Sequence, residues 1–219
     1  MNNIKVCIFD LDGTLLDTLT GIMHYINSVF DEEGIGRITL DETREFVGNG
    51  MRNLVTRACA SRGVTDTERV ERIITKYKTA YDSDPYKLVT AYDGVHELID
   101  ALAERGIRLA VLSNKPDFAT GMMVEHFFGK SFDVVRGNVD GVALKPSPDG
   151  ALMILSELGF SPDECAFIGD GETDVETAVK LGAARSISVL WGFRTREQLE
   201  AYGAKNFVTS PLEILEYID

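Results

Sequence analysis

The sequence predicts an α/β fold, a parallel sheet flanked by helices, with a helical domain inserted near its start. From Tyr92 onward, short apolar runs alternate with segments of helical periodicity, the pattern of parallel strands joined through crossover helices. From about Asp17 to Pro85 only helical patterns occur. The N-terminal apolar run from Ile4 to Phe9 therefore has no strand partner nearby and must join the later sheet.

That first run, with Ile4, Val6, Cys7, Ile8 and Phe9, is nearly continuous and rich in β-branched residues, as a strand buried on both faces requires. After Thr14 the period becomes helical, with Asp17 or Thr18 as N-cap and Ile22, Ile26, Val29 and Phe30 on one face, fading near Gly34 and Gly36. Further helices are expected from Met51 to Ser61 and from Asp66 to Tyr81, the latter opened by Thr65 with Glu68 in capping-box spacing. The polar Asp82-Ser83-Asp84-Pro85 reads as the exit linker. These boundaries give a core domain of residues 1–16 and 86–219 and an inserted helical domain of residues 17–85.

Beyond it, Asp93 is the expected cap of a helix whose apolar stripe is Val95, Leu98, Ile99, Leu102 and Ala103, ended by Gly106. Strands follow at Ile107 to Leu112, Phe132 to Val135, Cys165 to Ile168 and Ser186 to Leu190, with helices around 118–127, 150–158 and 174–181. Periodicity leaves the strand order open.

The 219 residues suffice for a sizeable core, and 44% hydrophobic with 26% charged residues is ordinary for a soluble globular protein. No apolar run is long enough for a bilayer, and the N-terminal run breaks at Asp10, too short for a signal core. A cytoplasmic location is expected. Cys7, Cys59 and Cys165 lack metal-ligand spacing and read as small core residues. The formal charge of -13 opposes nucleic acid as a partner. An anionic substrate then needs local cations, which directs attention to single lysines and arginines near polar motifs.

The first such motif is Asp10-Leu11-Asp12-Gly13-Thr14, at the end of the first strand. Open α/β sheets bind ligands beyond the carboxyl ends of their strands. The same residues also suit an acidic, solvated turn. Three later stretches bear on the choice: Ser113-Asn114-Lys115 after a strand, Lys145-Pro146-Ser147-Pro148 in a loop, and Gly169-Asp170 with Asp174 after another strand. Parallel strands would bring these to one edge. Several carboxylates crowded together need a cation or raised pKa values. Oxygen ligands without histidine or thiolate favour Mg²⁺, and Ser113 with Lys145 suits a phosphoryl group.

Taken in order, Asp10-Leu11-Asp12-Gly13-Thr14, Ser113, Lys145 and Gly169-Asp170 with Asp174 resemble the four motifs of haloacid dehalogenase (HAD) superfamily phosphatases, across essentially the whole chain. The resemblance implies a Rossmann-like core with a helical cap. It also implies Asp10 as nucleophile, forming an aspartyl phosphate, and Asp12 as general acid and base. Mg²⁺ would be held by the Asp10 carboxylate, the Asp12 backbone carbonyl and the Asp170 carboxylate, with Asp174 behind them. Ser113, the backbone around Asn114, and Lys145 would hold phosphoryl oxygens, with Lys145 also neutralising Asp10.

Val47-Gly48-Asn49-Gly50 with Arg52, and Trp191-Gly192-Phe193, resemble the phosphoglycolate phosphatase group within that superfamily. This adds Asn49 and Arg52 as substrate contacts, although the glycines equally suit an inter-helix turn and Arg52 an exposed helix charge. A small phosphorylated metabolite is the expected partner, with 2-phosphoglycolate the first choice, and the protein a monomer or homodimer. Two other readings stand beside hydrolysis. One is a sugar-phosphate mutase of the same superfamily. The other is a non-enzymatic phospho-receiver, against which Asp12 and the helical insertion both count. His24, His96 and His126 fall in helices and read as structural, as do Met122 and Met123.

Overall fold

The computed structural model of the protein describes residues 4–218. They form two compact units: a sheet unit, built from the chain up to Asp17 and from Ala91 onward, and a helical unit, Thr18–Thr90. Two-residue strands β2 (Leu16–Asp17) and β3 (Thr90–Ala91) mark where the chain leaves the sheet unit and returns to it. Within the sheet unit the Tyr92 N–H donates to the Leu15 carbonyl at 3.2 Å, which ties exit and return together.

The sheet has six strands: β1 (Val6–Phe9), β4 (Arg108–Pro116), β5 (Val134–Asn138), β6 (Cys165–Gly169), β7 (Arg185–Val189) and β8 (Asn206–Val208). All neighbours pair in parallel, in the order β5-β4-β1-β6-β7-β8. The strands run outward in both directions from β1, so the order reverses between β1 and β6. In a doubly wound sheet that reversal opens the ligand crevice.

The central strand shows why its sequence is apolar throughout. Val6 and Ile8 pack with Ile154 and Leu155 of α7 (Asp149–Leu158) and with Ala178 and Leu181 of α8 (Glu172–Leu181). Phe9 meets Phe132 edge to face, 6.3 Å between ring centres. Helices α5 (Val95–Glu104) and α6 (Asp117–Phe128) pack against β4 and β5. With helices packed around them, neither Val6 nor Phe9 retains appreciable solvent exposure.

The helical unit contains α1 (Leu19–Glu32), α2 (Leu40–Phe46), α3 (Met51–Ser61) and α4 (Thr67–Ser83). Its core joins Ile22, Ile26, Val29 and Phe30 of α1 to Leu54 and Val55 of α3 and Ile73, Ile74 and Tyr77 of α4. Tyr81 meets Tyr25 edge to face at 5.5 Å and stacks on Tyr77 at 5.6 Å. Just beyond α1, the Glu33 carboxylate pairs with Arg72 at 3.1 Å and Lys76 at 2.8 Å, both on α4.

Several boundaries differ from the sequence expectations for local reasons. Helix α2 is short and buries little, so it has no long apolar stripe; its signal is the Thr39–Glu42 capping box. Asp66 rather than Thr65 caps α4, since its carboxylate accepts from the Arg69 N–H at 2.8 Å. Gly94, left-handed at φ 85°, takes the N-cap of α5 in place of Asp93. The helical unit extends to Thr90 because α4 runs on to Ser83 and Val89 is buried. Three-residue β8, partly exposed, carries too few apolar positions to stand out. Among the described residues no helix is long and apolar enough to cross a membrane.

Ile8 is fully buried in the central strand, and Ile8→Ala is expected to destabilise the sheet unit by about 2–5 kcal/mol. Urea unfolding followed by the fluorescence of Trp191, the single tryptophan, checks this; a loss below about 1 kcal/mol would contradict the packing described.

Candidate active site

Four segments of the sheet unit supply the site. β1 ends at Phe9 and delivers Asp10, whose N–H donates to the Ile168 carbonyl of β6 at 2.9 Å. The chain then turns through Gly13 at φ 85°, a conformation that favours glycine. A Cβ at Gly13 would also lie 2.3 Å from an Asp170 carboxylate oxygen. Thr14 follows, donating its hydroxyl to Asp170 at 3.2 Å.

β4 does not stop at Leu112. It continues through Ser113, Asn114 and Lys115 to Pro116, with a shift in its register against β5 between Leu112 and Pro116. Such irregularities re-aim side chains beside functional sites. All three residues are buried. The Ser113 Oγ accepts from the Lys115 N–H at 3.2 Å. The Asn114 side chain brackets the backbone of Lys145, accepting from its N–H at 2.8 Å and donating to its carbonyl at 3.0 Å. Asn114 thus fixes the loop that carries the lysine.

The Lys145 side chain is 2% exposed and its Nζ lies 2.7 Å from Asp10 Oδ1 and 2.6 Å from Asp174 Oδ1. Asp174 stands in the first turn of α8, and its other oxygen accepts the Gly171 N–H at 2.9 Å. It therefore closes the helix start and holds the ammonium together. Asp170, at the end of β6, accepts from the Phe193 N–H at 2.7 Å. The Trp191-Gly192-Phe193 loop is pinned further by the Trp191 indole N–H, which donates to the Thr14 carbonyl at 3.0 Å. Gly192 leaves no room for a side chain, since a Cβ there would lie 2.3 Å from the Asp170 Cβ and 2.4 Å from the Gly13 carbonyl oxygen.

Ligand atoms of Asp10, Asp170 and Asp174 lie within 4.8 Å of one another. Burial raises the Asp10 carboxyl from 3.8 to about 7; the Lys145 ammonium opposes the rise and the Asp174 and Asp12 carboxylates add to it. Asp170 is pushed well above the usual carboxylate range by burial, then by Asp10 and Asp174. Burial alone would lower Lys145, but the two carboxylates against it hold its pKa above the ordinary lysine value. One ammonium does not balance three carboxylates, two of them buried and Asp10 nearly so. An all-oxygen set with excess negative charge fits a hard divalent cation such as Mg²⁺.

The sequence-derived residues thus fall into groups. Asp10, Lys145, Asp170 and Asp174 converge, with Thr14 and the 191–193 loop bracing Asp170. The Asp12 carboxylate pairs instead with Lys115, whose Nζ lies 2.9 and 2.8 Å from its two oxygens. No role for Lys115 was legible in the motifs; the available signal was a lysine at a strand end in an acidic chain. Asn49 and Arg52 lie in the helical unit. There the Asn53 side chain donates to the Asn49 carbonyl at 2.8 Å, and Arg52 forms a two-pronged ion pair with Glu71.

A family profile described as haloacid dehalogenase-like hydrolase matches residues 7–188. A phosphoglycolate phosphatase of Rhodospirillum rubrum is 32% identical over 91% of this chain and 85% of its own length. Phosphoglycolate phosphatase 1 of Pseudomonas aeruginosa is 29% identical over 86% of this chain and 70% of its own. A crystal structure from Lactobacillus delbrueckii subsp. bulgaricus, provisionally named a phosphoglycolate phosphatase, superposes with a TM-score of 0.93 at 31% identity, covering 99% of this chain and 98% of that one.

Two outcomes are expected. The raised pKa of Asp10 means that the metal-free fold binds a proton more tightly than the unfolded chain, so this group's contribution to stability falls as pH rises from 3.8 through about 7. A bound cation removes that loss. Mg²⁺ should therefore raise the Tm more at pH 8 than at pH 5, and equal shifts would show that these carboxylates do not bind it. Separately, Gly192→Ala should weaken Mg²⁺ binding by about 10–100-fold by displacing Asp170, measured by Mg²⁺ titration of Trp191 fluorescence; unchanged affinity would exclude a bracing role for the loop.

Proposed function

This chain belongs to the haloacid dehalogenase-like hydrolase family, and on that footing we propose that it hydrolyses small phosphate monoesters with Mg²⁺, 2-phosphoglycolate foremost, through an aspartyl phosphate on Asp10. The observation that carries the reading is the Lys145 ammonium buried between Asp10 and Asp174, beside a third carboxylate. The relatives named for phosphoglycolate hydrolysis support the substrate.

In this mechanism an Asp10 carboxylate oxygen attacks phosphorus and the ester bond to the leaving alcohol breaks. Lys145 holds the nucleophile in place and offsets charge on the transferring group. Ser113, on the same edge, is assigned to a phosphoryl oxygen. Asp12 gives its proton to the leaving oxygen, then takes one from the water that attacks the aspartyl phosphate. Splitting one displacement into two lowers the barrier of each. Asp10, Asp170 and the Asp12 backbone carbonyl would hold Mg²⁺, with Asp174 supporting them; when bound, it neutralises charge on the phosphoryl oxygens. The inserted helices are read as the family's cap.

Phosphate release from 2-phosphoglycolate, sugar phosphates and nucleoside monophosphates, with Mg²⁺ and with chelator, tests the proposal. Release should need Mg²⁺ and fall to background in Asp10→Asn. Asp12→Asn should turn over about 10²–10⁴-fold more slowly and accumulate acid-trapped phosphoenzyme. Full activity in Asp10→Asn would overturn the nucleophile, and preference for another monoester would overturn the substrate.

A further inference from the structure

Lys115 is a buried cation that the mechanism above leaves without a task. Its side chain is 6% exposed, it sits on the shifted end of β4, and it spans both oxygens of Asp12 at 2.9 and 2.8 Å. Lys145 already serves the nucleophile, and the two lysines engage different carboxylates. The site therefore presents one ammonium on the phosphoryl side and a second beside the group assigned to the leaving oxygen.

Resting on the proposed role of Asp12, we infer that Lys115 selects substrates bearing a carboxylate on the carbon next to the leaving oxygen. A general acid must come within about 2.6–3.2 Å of the leaving oxygen, and Lys115 is one hydrogen bond further on. In an α-phosphorylated carboxylate the carboxyl group is two bonds from that oxygen, so it arrives beside the ammonium when the leaving oxygen reaches Asp12. A buried ammonium favours an incoming anion strongly, because little water competes for either charge. A neutral leaving group brings nothing for this lysine to bind. In a chain of formal charge -13, such a point cation is needed to hold a second anionic group close to four aspartates.

The deciding experiment compares 2-phosphoglycolate with 2-hydroxyethyl phosphate, nearly the same size but uncharged at that end, in wild type and Lys115→Met. Wild type should favour phosphoglycolate by about 100-fold in kcat/KM, the order expected for a buried charge pair. In Lys115→Met the ratio should fall to near one, with the KM for phosphoglycolate rising and competitive inhibition by glycolate lost. Lys115→Gln, which keeps a donor for Asp12 but no charge, should give the same collapse and stands in if the methionine variant does not fold. If both substrates lose the same factor, Lys115 only positions Asp12 and the inference is overturned. Equal use of both substrates by wild type overturns it too while leaving the phosphatase reading intact. Absence of phosphate release from either, by contrast, defeats that reading itself.

Discussion

The structure turns on one shared ammonium. Lys145 lies between Asp10 and Asp174, 2.7 and 2.6 Å from their oxygens, in a place nearly closed to water. Removing three charges from solvent is expensive, and ion pairs of this kind rarely stabilise a fold on balance. The surroundings reflect that expense. Asn114 grips the lysine's backbone on both sides, Gly171 donates to the far oxygen of Asp174, and Thr14 and Phe193 occupy Asp170. Remove the lysine and the carboxylates lose the charge that keeps them compatible.

The doubly wound sheet explains how residues so far apart in the chain meet. Asp10 and Asp170 follow adjacent parallel strands whose register matches Phe9 to Ile168, so their backbones are placed by hydrogen bonds that do not depend on the site. Ser113 to Lys115 come from the other neighbour of β1. Lys145 arrives instead on a long loop, and the Asn114 side chain from the sheet clamps its backbone on both sides. Rigidity is supplied where the topology does not provide it.

Much of this was readable from the residues. The buried strands announce themselves as apolar runs because both faces are covered, and Asp10, Lys145 and Asp170 lie in motifs whose order matches a known pattern. Other features needed three dimensions. Asn114 is expected to offer its backbone to phosphate; that its side-chain amide holds Lys145 is a contact across a separation no local pattern encodes. Asp174 could be read as a cap or as a site residue; its two oxygens let it be both. Lys115 escaped because its partner, Asp12, is distant in sequence and the shift at the end of β4 has no signature in composition. Arg52 pairs with Glu71 on another helix, which helical periodicity does not disclose.

The hydrogen bond from Tyr92 to Leu15 has a wider reach than its strength suggests. It fastens together the two points between which the helical unit is spliced, so the sheet's geometry is indifferent to the length of chain between them. Closing a longer loop adds only about 0.6 kcal/mol for each doubling. The intervening stretch of gene can therefore be lengthened, trimmed or replaced while the aspartates stay where they are. The frame that places the aspartates and the insertion are inherited on separable pieces, and a lineage can revise the second without relearning the first.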